Sequence, residues 1–270
     1  MKPAAFDIIR PGSVKDATQL LGQADGKGRV VAGAQSLGPM LNLRLAQPEL
    51  LIDLTGIPAL ARISDNPDSV TVGACVTTAN IEDGRLPGSG LDHLPAVATR
   101  IAYRAVRNRG TIGGSVCHAD PAADWVTVLC ALRAECCIAA PRGTRTLPVD
   151  EFVTGAYETA LLADEILEAI RIPRLSASTR FGYFKLCRKA GEFALAMCAV
   201  LNDPEHHRLR IVIGATKGRP IVLADARQVL DGTGIDETAL LRVLDEHGID
   251  ERAVRRQQLA AVTRAYRQTI

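Results

Sequence analysis

The sequence holds 270 residues with a formal net charge of +2, 47% of them hydrophobic and only 4% aromatic. That allows one large or two to three smaller domains around an aliphatic core, and the near-neutral charge argues against a surface for nucleic acid or an anionic membrane. No window approaches the roughly 20 apolar residues of a membrane span. The N-terminal MKPAAFDIIRPGSV lacks a signal-peptide run, so a soluble, cytoplasmic protein is expected.

In chain order, Ser13 to Ala24 predicts a helix capped by Ser13, with Val14, Ala17, Leu20, Leu21 and Ala24 on one face. Val30 to Ala32 is a short strand ending at Gly33, Leu37 to Leu45 a helix with Pro39 in its first turn, and Leu50 to Leu54 a second strand. A right-handed crossover is the default for such a unit. Val70 to Gly73 is a further strand, and Leu94 to Ala102 is apolar at helical spacing. Asp120 followed by Pro121 predicts a helix start, running through Trp125, Val128, Leu129 and Leu132. Cys136 to Ala140 and Arg145 to Val149 flank the turn PRGT, and Glu165 to Pro173 is a strand stopped by proline.

A domain boundary is expected there, before the polar segment PRLSAST. Beyond it lie three strand candidates, Arg180 to Cys187, Phe193 to Leu201 and Leu209 to Ala215, with Asp203-Pro204-Glu205 as a turn. Helices are expected over Leu223 to Leu230, Glu237 to Glu246 and Glu251 to Tyr266. Strands followed by helices give an α+β tail, residues 174–270, with a three-stranded antiparallel sheet.

The seven cysteines, Cys75, Cys117, Cys130, Cys136, Cys137, Cys187 and Cys198, are odd in number and form no CxxC pair. They carry no signature of disulfides, zinc or iron–sulfur clusters and read as buried thiols, so no metal site is expected. Arg100, Arg104, Arg107 and Arg109 read as a solvated face or a subunit contact. His118, beside Asp120, reads as structural.

Two glycine turns carry the chemistry. VVAGAQSL ends a strand at Gly33, and RGTIGGSVCHADPAADW holds Gly113 and Gly114 between hydroxyls. Glycine lets backbone N–H groups approach a ligand, and successive N–H groups form an anion-binding concavity. Ser36, Thr111 and Ser115 add hydroxyls, so a diphosphate fits. Neither turn matches GxGxxG or a P-loop, and each alone is also compatible with an ordinary tight turn, a β-bulge or a hairpin.

Together with EILEAIRIP and GYFKLCRKAGEFA, in the same order, these turns give the chain a pattern that resembles the FAD-binding medium subunit of the molybdenum hydroxylases. That family includes carbon monoxide dehydrogenase, nicotine dehydrogenase and the flavin domain of xanthine dehydrogenase. The resemblance implies a PCMH-type FAD-binding domain over 1–173, built of two small α/β subdomains (about 1–56 and 57–173), followed by a C-terminal domain of the CO dehydrogenase flavoprotein type. It implies that Ala32, Gly33, Ala34, Gln35 and Ser36, with Thr111, Ile112, Gly113, Gly114 and Ser115, grip the FAD diphosphate and ribityl chain. By the same resemblance Asp124 bonds the polyol, Ile101 is an apolar neighbour of the flavin, Lys185 approaches its ring, and Phe193 covers one face as a gate for the acceptor.

Three residues depart from the family pattern. Many relatives have glycine at Ala34, asparagine at Ser115 and tyrosine at Phe193. Alanine is tolerated at position 34 if its φ is negative. The resemblance further implies an electron-transfer role for a flavin that bridges one- and two-electron chemistry. A large molybdenum subunit and a small subunit with [2Fe–2S] clusters would be its partners, as a dimer of heterotrimers. The alternatives are a self-sufficient FAD-dependent oxidoreductase and a non-catalytic nucleotide-binding assembly subunit.

Overall fold

The N-terminal strands are three or four residues long. β1 (Asp7–Ile9), β2 (Gly28–Val31) and β3 (Leu50–Asp53) form a parallel sheet in the order β1-β3-β2. α1 (Val14–Gln23) starts where Ser13 accepts the N–H of Asp16, and it lays Val14, Ala17, Leu20 and Leu21 against Ile52 and Leu54. α2 (Leu37–Asn42) leaves the first glycine turn and ends three residues before the expected Leu45. Residues 2–87, 90–231 and 234–270 are described by this computed structural model.

β4 (Ile63–Asp65) and β5 (Ser69–Gly73) begin a second sheet, completed by β6 (Glu135–Ala140), β7 (Gly143–Pro148) and β10 (Ile166–Pro173). Its order is β4-β5-β10-β6-β7, all antiparallel, with the strand of EILEAIRIP at the centre. Between β5 and β6 run α3 (Thr78–Glu82), α4 (Leu94–Ala98), α5 (Arg104–Arg107), α6 (Ile112–His118) and α7 (Asp124–Ala131). The stretch expected to be helical to Ala102 stops at Ala98, and Ala102 itself sits at φ +46°. α8 (Val149–Phe152), β8 (Val153–Gly155) and β9 (Glu158–Thr159) link β7 to β10.

The helix expected to start at Asp120 starts at Asp124 instead. Asp120 Oδ1 accepts the N–H of Ala122 at 2.8 Å, closing a local turn that spends the carboxylate before any helix begins.

The C-terminal sheet is four-stranded rather than three-stranded: β11 (Arg180–Leu186), β12 (Ala196–Asp203), β13 (Arg208–Gly214) and β14 (Ile221–Leu223). β14 takes the start of the segment expected to be a helix over Leu223 to Leu230. The rest forms a single 3-10 turn, Ala226–Val229, because the Asp225 carboxylate closes on the N–H of Arg227. Phe193 lies before β12, just after a turn closed from Lys189 to Glu192 with Gly191 at φ +85°, and the strand begins only at Ala196.

Side-chain alternation makes this sheet a middle layer. Met197, Ala199, Leu201 and Val212 face the core shared with β5, β10 and α7, while Ala196, Cys198, Val200, Ile211 and Ile213 face α9 (Glu237–Glu246) and α10 (Arg252–Tyr266). α7 is buried along its whole length, and it approaches β13 so closely that a Cβ on Gly214 would lie 2.0 Å from Thr127 Oγ1. The seven cysteines are free; Cys75, Cys130, Cys136 and Cys198 are buried, and burial raises each of these thiols.

Candidate functional site

The first turn leaves β2 and enters α2. Gln35 Nε2 donates to the Gly33 carbonyl at 2.9 Å, and the Ala34 carbonyl accepts the N–H of Gly38 at 2.9 Å. Ala34 is in the left-handed region at φ +58°, so the condition of a negative φ is not met and the residue is strained. Ser36 occupies the N-cap of α2 without making a side-chain cap, and both Gln35 and Ser36 face solvent. The first N–H groups of α2 have no acceptor within the helix.

The second turn is a helix start, not a bulge or hairpin. Thr111 is extended, and its Oγ1 accepts the N–H of Gly114 at 3.0 Å, leaving its own proton to donate. The backbone is fastened to the loop after β5: Ile112 N–H to Val76 O and Gly113 N–H to Ala74 O, both 3.0 Å, and Thr78 N–H to Gly110 O at 2.8 Å. A Cβ on Gly113 would lie 2.5 Å from Ala74 Cβ. Gly114 is exposed and Ser115 half-buried, on the open side of this helix start.

The structure brings the two turns together. A Cβ on Gly33 would sit 2.0 Å from the Arg109 carbonyl oxygen and 2.9 Å from Gly110 Cα, so the first turn lies backbone to backbone on the residues leading into the second. The starts of α2 and α6 are thereby set side by side; at α6 the Ile112, Gly113 and Gly114 N–H groups already have acceptors, so the hydroxyls of Thr111 and Ser115 are what remains to donate there.

Asp124 and Lys185, 61 residues apart, also meet. Asp124 opens α7, a favourable place for an acid. Lys185 is on β11, on the face turned to α7. Lys185 Nζ is 3.0 Å from Asp124 Oδ2 and also donates to the Arg100 carbonyl at 3.2 Å. The other carboxylate oxygen accepts the hydroxyl of Tyr183 at 2.5 Å. Asp124 and Lys185 are only 5% and 3% exposed. Asp124 is thus neither a solvated helix-start acid nor a lone acceptor. Burial pushes its carboxyl up, against the pull of Lys185 and Tyr183; burial and then the Asp124 charge hold the Tyr183 hydroxyl well above its usual range. Breaking such a pair leaves an uncompensated buried charge at a cost of about 3–5 kcal/mol.

Ile101 is half-buried against the main core. Arg107 holds it by donating to the Ile101 and Ala102 carbonyls at 2.9 and 3.0 Å while pairing with Glu82. Arg104 pairs with Glu82 and Asp83, so two of the four clustered arginines serve internal ion pairs rather than a free basic face. The turn before Phe193 rests on the same segment: a Cβ on Gly191 would lie 2.8 Å from the Ala102 carbonyl oxygen. Phe193 is 67% exposed. His118 packs its ring against Tyr157, with centroids 5.2 Å apart, and burial lowers its pKa.

Sequence reasoning missed Tyr183, the Arg100 carbonyl and the Glu82–Arg107 brace. Tyr183 and Lys185 are two residues apart on one strand and therefore share a face; that signal was available once Asp124 was placed opposite. Among the described residues no group of three His, Cys, Asp or Glu side chains could hold a metal ion, and no helix is long and apolar enough to cross a membrane.

Residues 4–175 match the family model described as the FAD binding domain in molybdopterin dehydrogenase. The nicotine 6-hydroxylase medium subunit of Paenarthrobacter nicotinovorans is 37% identical over 236 residues, 86% of this chain and 82% of that one. The carbon monoxide dehydrogenase medium chain of Hydrogenophaga pseudoflava is 39% identical over 216 residues, 78% of this chain and 75% of its own. Among solved structures, carbon monoxide dehydrogenase from Hydrogenophaga pseudoflava superposes with a TM-score of 0.87 at 32% identity, covering 100% of this chain and 98% of that one. Quinoline 2-oxidoreductase from Pseudomonas putida 86 does so with a TM-score of 0.85 at 30% identity and the same coverages, 100% and 98%.

Proposed function

Because the chain belongs to the family of FAD binding domains of molybdopterin dehydrogenases, we propose that it is the flavin-carrying electron-transfer subunit of a molybdenum hydroxylase. In this reading it receives electrons from [2Fe–2S] clusters of a small partner subunit and passes them to an external acceptor. A large partner carries the molybdenum cofactor, and two such heterotrimers pair in the cytoplasm. The names of the relatives, medium subunits and medium chains of a nicotine hydroxylase and carbon monoxide dehydrogenases, support it.

The observation that carries the proposal is the seating of Gly33 on Arg109–Gly110. It fits a diphosphate, because it sets the start of α2 beside the hydroxyls of Ser36, Thr111 and Ser115. Ala32 to Ser36 would hold one side of the diphosphate and Thr111 to Ser115 the other. Bound FAD supplies an electron store that is filled and emptied one or two electrons at a time. Asp124 would reach the polyol through carboxylate lone pairs not used by Tyr183 and Lys185, since a carboxylate offers about four acceptor positions. Lys185 would place its charge toward the ring. Ile101 would lend an apolar contact, and the exposed Phe193 would cover one face. The chain then divides by task near 173/174, with the diphosphate clasp on 1–173 and Lys185 and Phe193 on 174–270.

Co-expression with the genes that flank its own, followed by affinity purification, tests the assignment. The expected product is a three-subunit complex whose visible spectrum combines flavin and iron–sulfur bands. A lone yellow protein bleached by its own substrate would overturn it. A rate of flavin reoxidation unchanged in Phe193→Ala would remove Phe193 from the acceptor path.

A further inference from the structure

We infer that Tyr183 is a positioning residue of the flavin site: its hydrogen bond keeps the Asp124 carboxylate ionised and seated on Lys185, and so sets how much uncompensated positive charge Lys185 presents to the cofactor. The inference rests on the assignment of Lys185 to the flavin made above.

The geometry divides the carboxylate between two partners. Oδ1 takes the Tyr183 hydroxyl at 2.5 Å and Oδ2 takes Lys185 Nζ at 3.0 Å. Lys185 is held from its other side by the Arg100 carbonyl at 3.2 Å, while Arg100 returns a bond from Nη2 to the Lys185 carbonyl at 3.1 Å. The ammonium is therefore fixed in place between the Asp124 carboxylate and the Arg100 carbonyl. Besides Asp124, the charged or titratable groups acting on Tyr183 are Arg100, from the segment after α4, and Cys187, just past β11. Arg100 is engaged with the Lys185 backbone rather than with the carboxylate. The remaining α7 residues of the first turn, Trp125, Val126 and Thr127, bring no charge.

Neutralising Asp124 changes the charge of the cluster, and burial already pushes its carboxyl that way. Charge-assisted hydrogen bonds to a buried carboxylate are about twice as strong as neutral ones, and their loss favours proton uptake. Without the Tyr183 hydroxyl, one buried oxygen has no side-chain donor, and burial already disfavours the anion. Once Asp124 is protonated, Lys185 stands without its counter-charge. A flavin beside an unbalanced cation is easier to reduce, because electron uptake adds negative charge.

The test is a spectroelectrochemical titration of the full chain loaded with FAD, across about pH 6 to 9. The native protein is expected to follow one smooth dependence of midpoint potential on pH. Tyr183→Phe is expected to lie at a more positive potential than the native protein, by more at the acid end of the range than at the alkaline end. Asp124→Asn, which keeps Tyr183 and fixes the neutral state, should be displaced upward at every pH without a break. A Tyr183→Phe protein with a lower Tm but native potentials throughout would show that the tyrosine is only structural. Lys185→Met separates the two levels. If it leaves the potential unchanged, the placement of Lys185 at the flavin is wrong. If it shifts the potential while Tyr183→Phe does not, only the present inference fails. Should Tyr183→Phe not fold, an Asp124→Asn potential equal to the native one would equally overturn the inference.

Discussion

In the second turn, Thr111 caps its helix, Gly113 is pinned to Ala74, and the preceding carbonyl of Gly110 is tied to Thr78. In the first, Ser36 leaves its helix uncapped, Gln35 faces solvent, and Ala34 is held at φ +58°. One turn is shaped by the core beneath it. The other keeps its shape by leaning on its neighbour through Gly33. The difference teaches that two turns can be held against one another with only one of them built into the core, provided the other is placed by backbone contact. It also means that damage to the two sides should separate stability from cofactor binding.

The largest effects come from closing the contacts that glycine permits. Gly33→Ala would drive a Cβ into the Arg109 carbonyl, which is backbone and cannot rotate away, so the turns must part. We expect FAD to be lost on gel filtration while much of the thermal stability survives, because the first turn adds little to the core. Gly113→Ala should reverse the balance. Its Cβ meets Ala74, a buried residue of the main core, and overpacking of this kind costs about 1–3 kcal/mol. Chemical denaturation and flavin content, measured on both variants, decide the matter. Equal losses of stability would break the contrast between the turns.

Much of this arrangement was legible in the sequence, and the exceptions have physical causes. The capped helix from Ser13, the strand of EILEAIRIP and the glycine turn after β2 are local patterns, and they stand where expected, whereas the second glycine stretch is itself helical over Ile112–His118 because Thr111 caps it and its backbone is tied to Ala74 and Val76. Asp120 and Asp225 misled because an acidic side chain closes a tight turn as readily as it caps a helix, and only the following residues decide. β14 is three residues long and exists through pairing with β13, which no local pattern reveals. The strain at Ala34 is set by the route of the backbone from β2 into α2, not by its own preference. The Asp124–Lys185–Tyr183 cluster depends on α7 packing on β12 and β13, which brings its first residue within reach of the Tyr183 and Lys185 side chains of β11. Each residue could be singled out, but their meeting is a tertiary fact.

A middle-sized effect probes the caps. Thr111→Ala removes an acceptor for the Gly114 N–H and should cost about 1 kcal/mol of stability, visible as a lower Tm, with Thr111→Ser restoring most of it. Ser36→Ala removes no cap and should leave Tm unchanged. If Ser36 donates to the diphosphate, the same substitution still weakens FAD binding. Stability and affinity would then respond to different hydroxyls in the two turns. A clear fall in Tm for Ser36→Ala would show that the first turn is capped in solution and would narrow the difference between them.

The smallest effect concerns Ala34. An L-residue in the left-handed region carries a cost of about 1–2 kcal/mol. Glycine escapes that cost but gives back part of the gain, about 0.5–1 kcal/mol, through its freer unfolded chain. Ala34→Gly should therefore stabilise the protein by up to about 1 kcal/mol, read as a higher urea midpoint with an unchanged m-value. The two turns should respond oppositely to the same residue type. Glycine at 34 relieves strain, whereas glycine at 113 already serves close packing, and replacing it creates strain. If Ala34→Gly instead lowers the midpoint, the alanine is not paying for its conformation. The first turn would then be as well braced as the second, and its dependence on Gly33 would have to be abandoned.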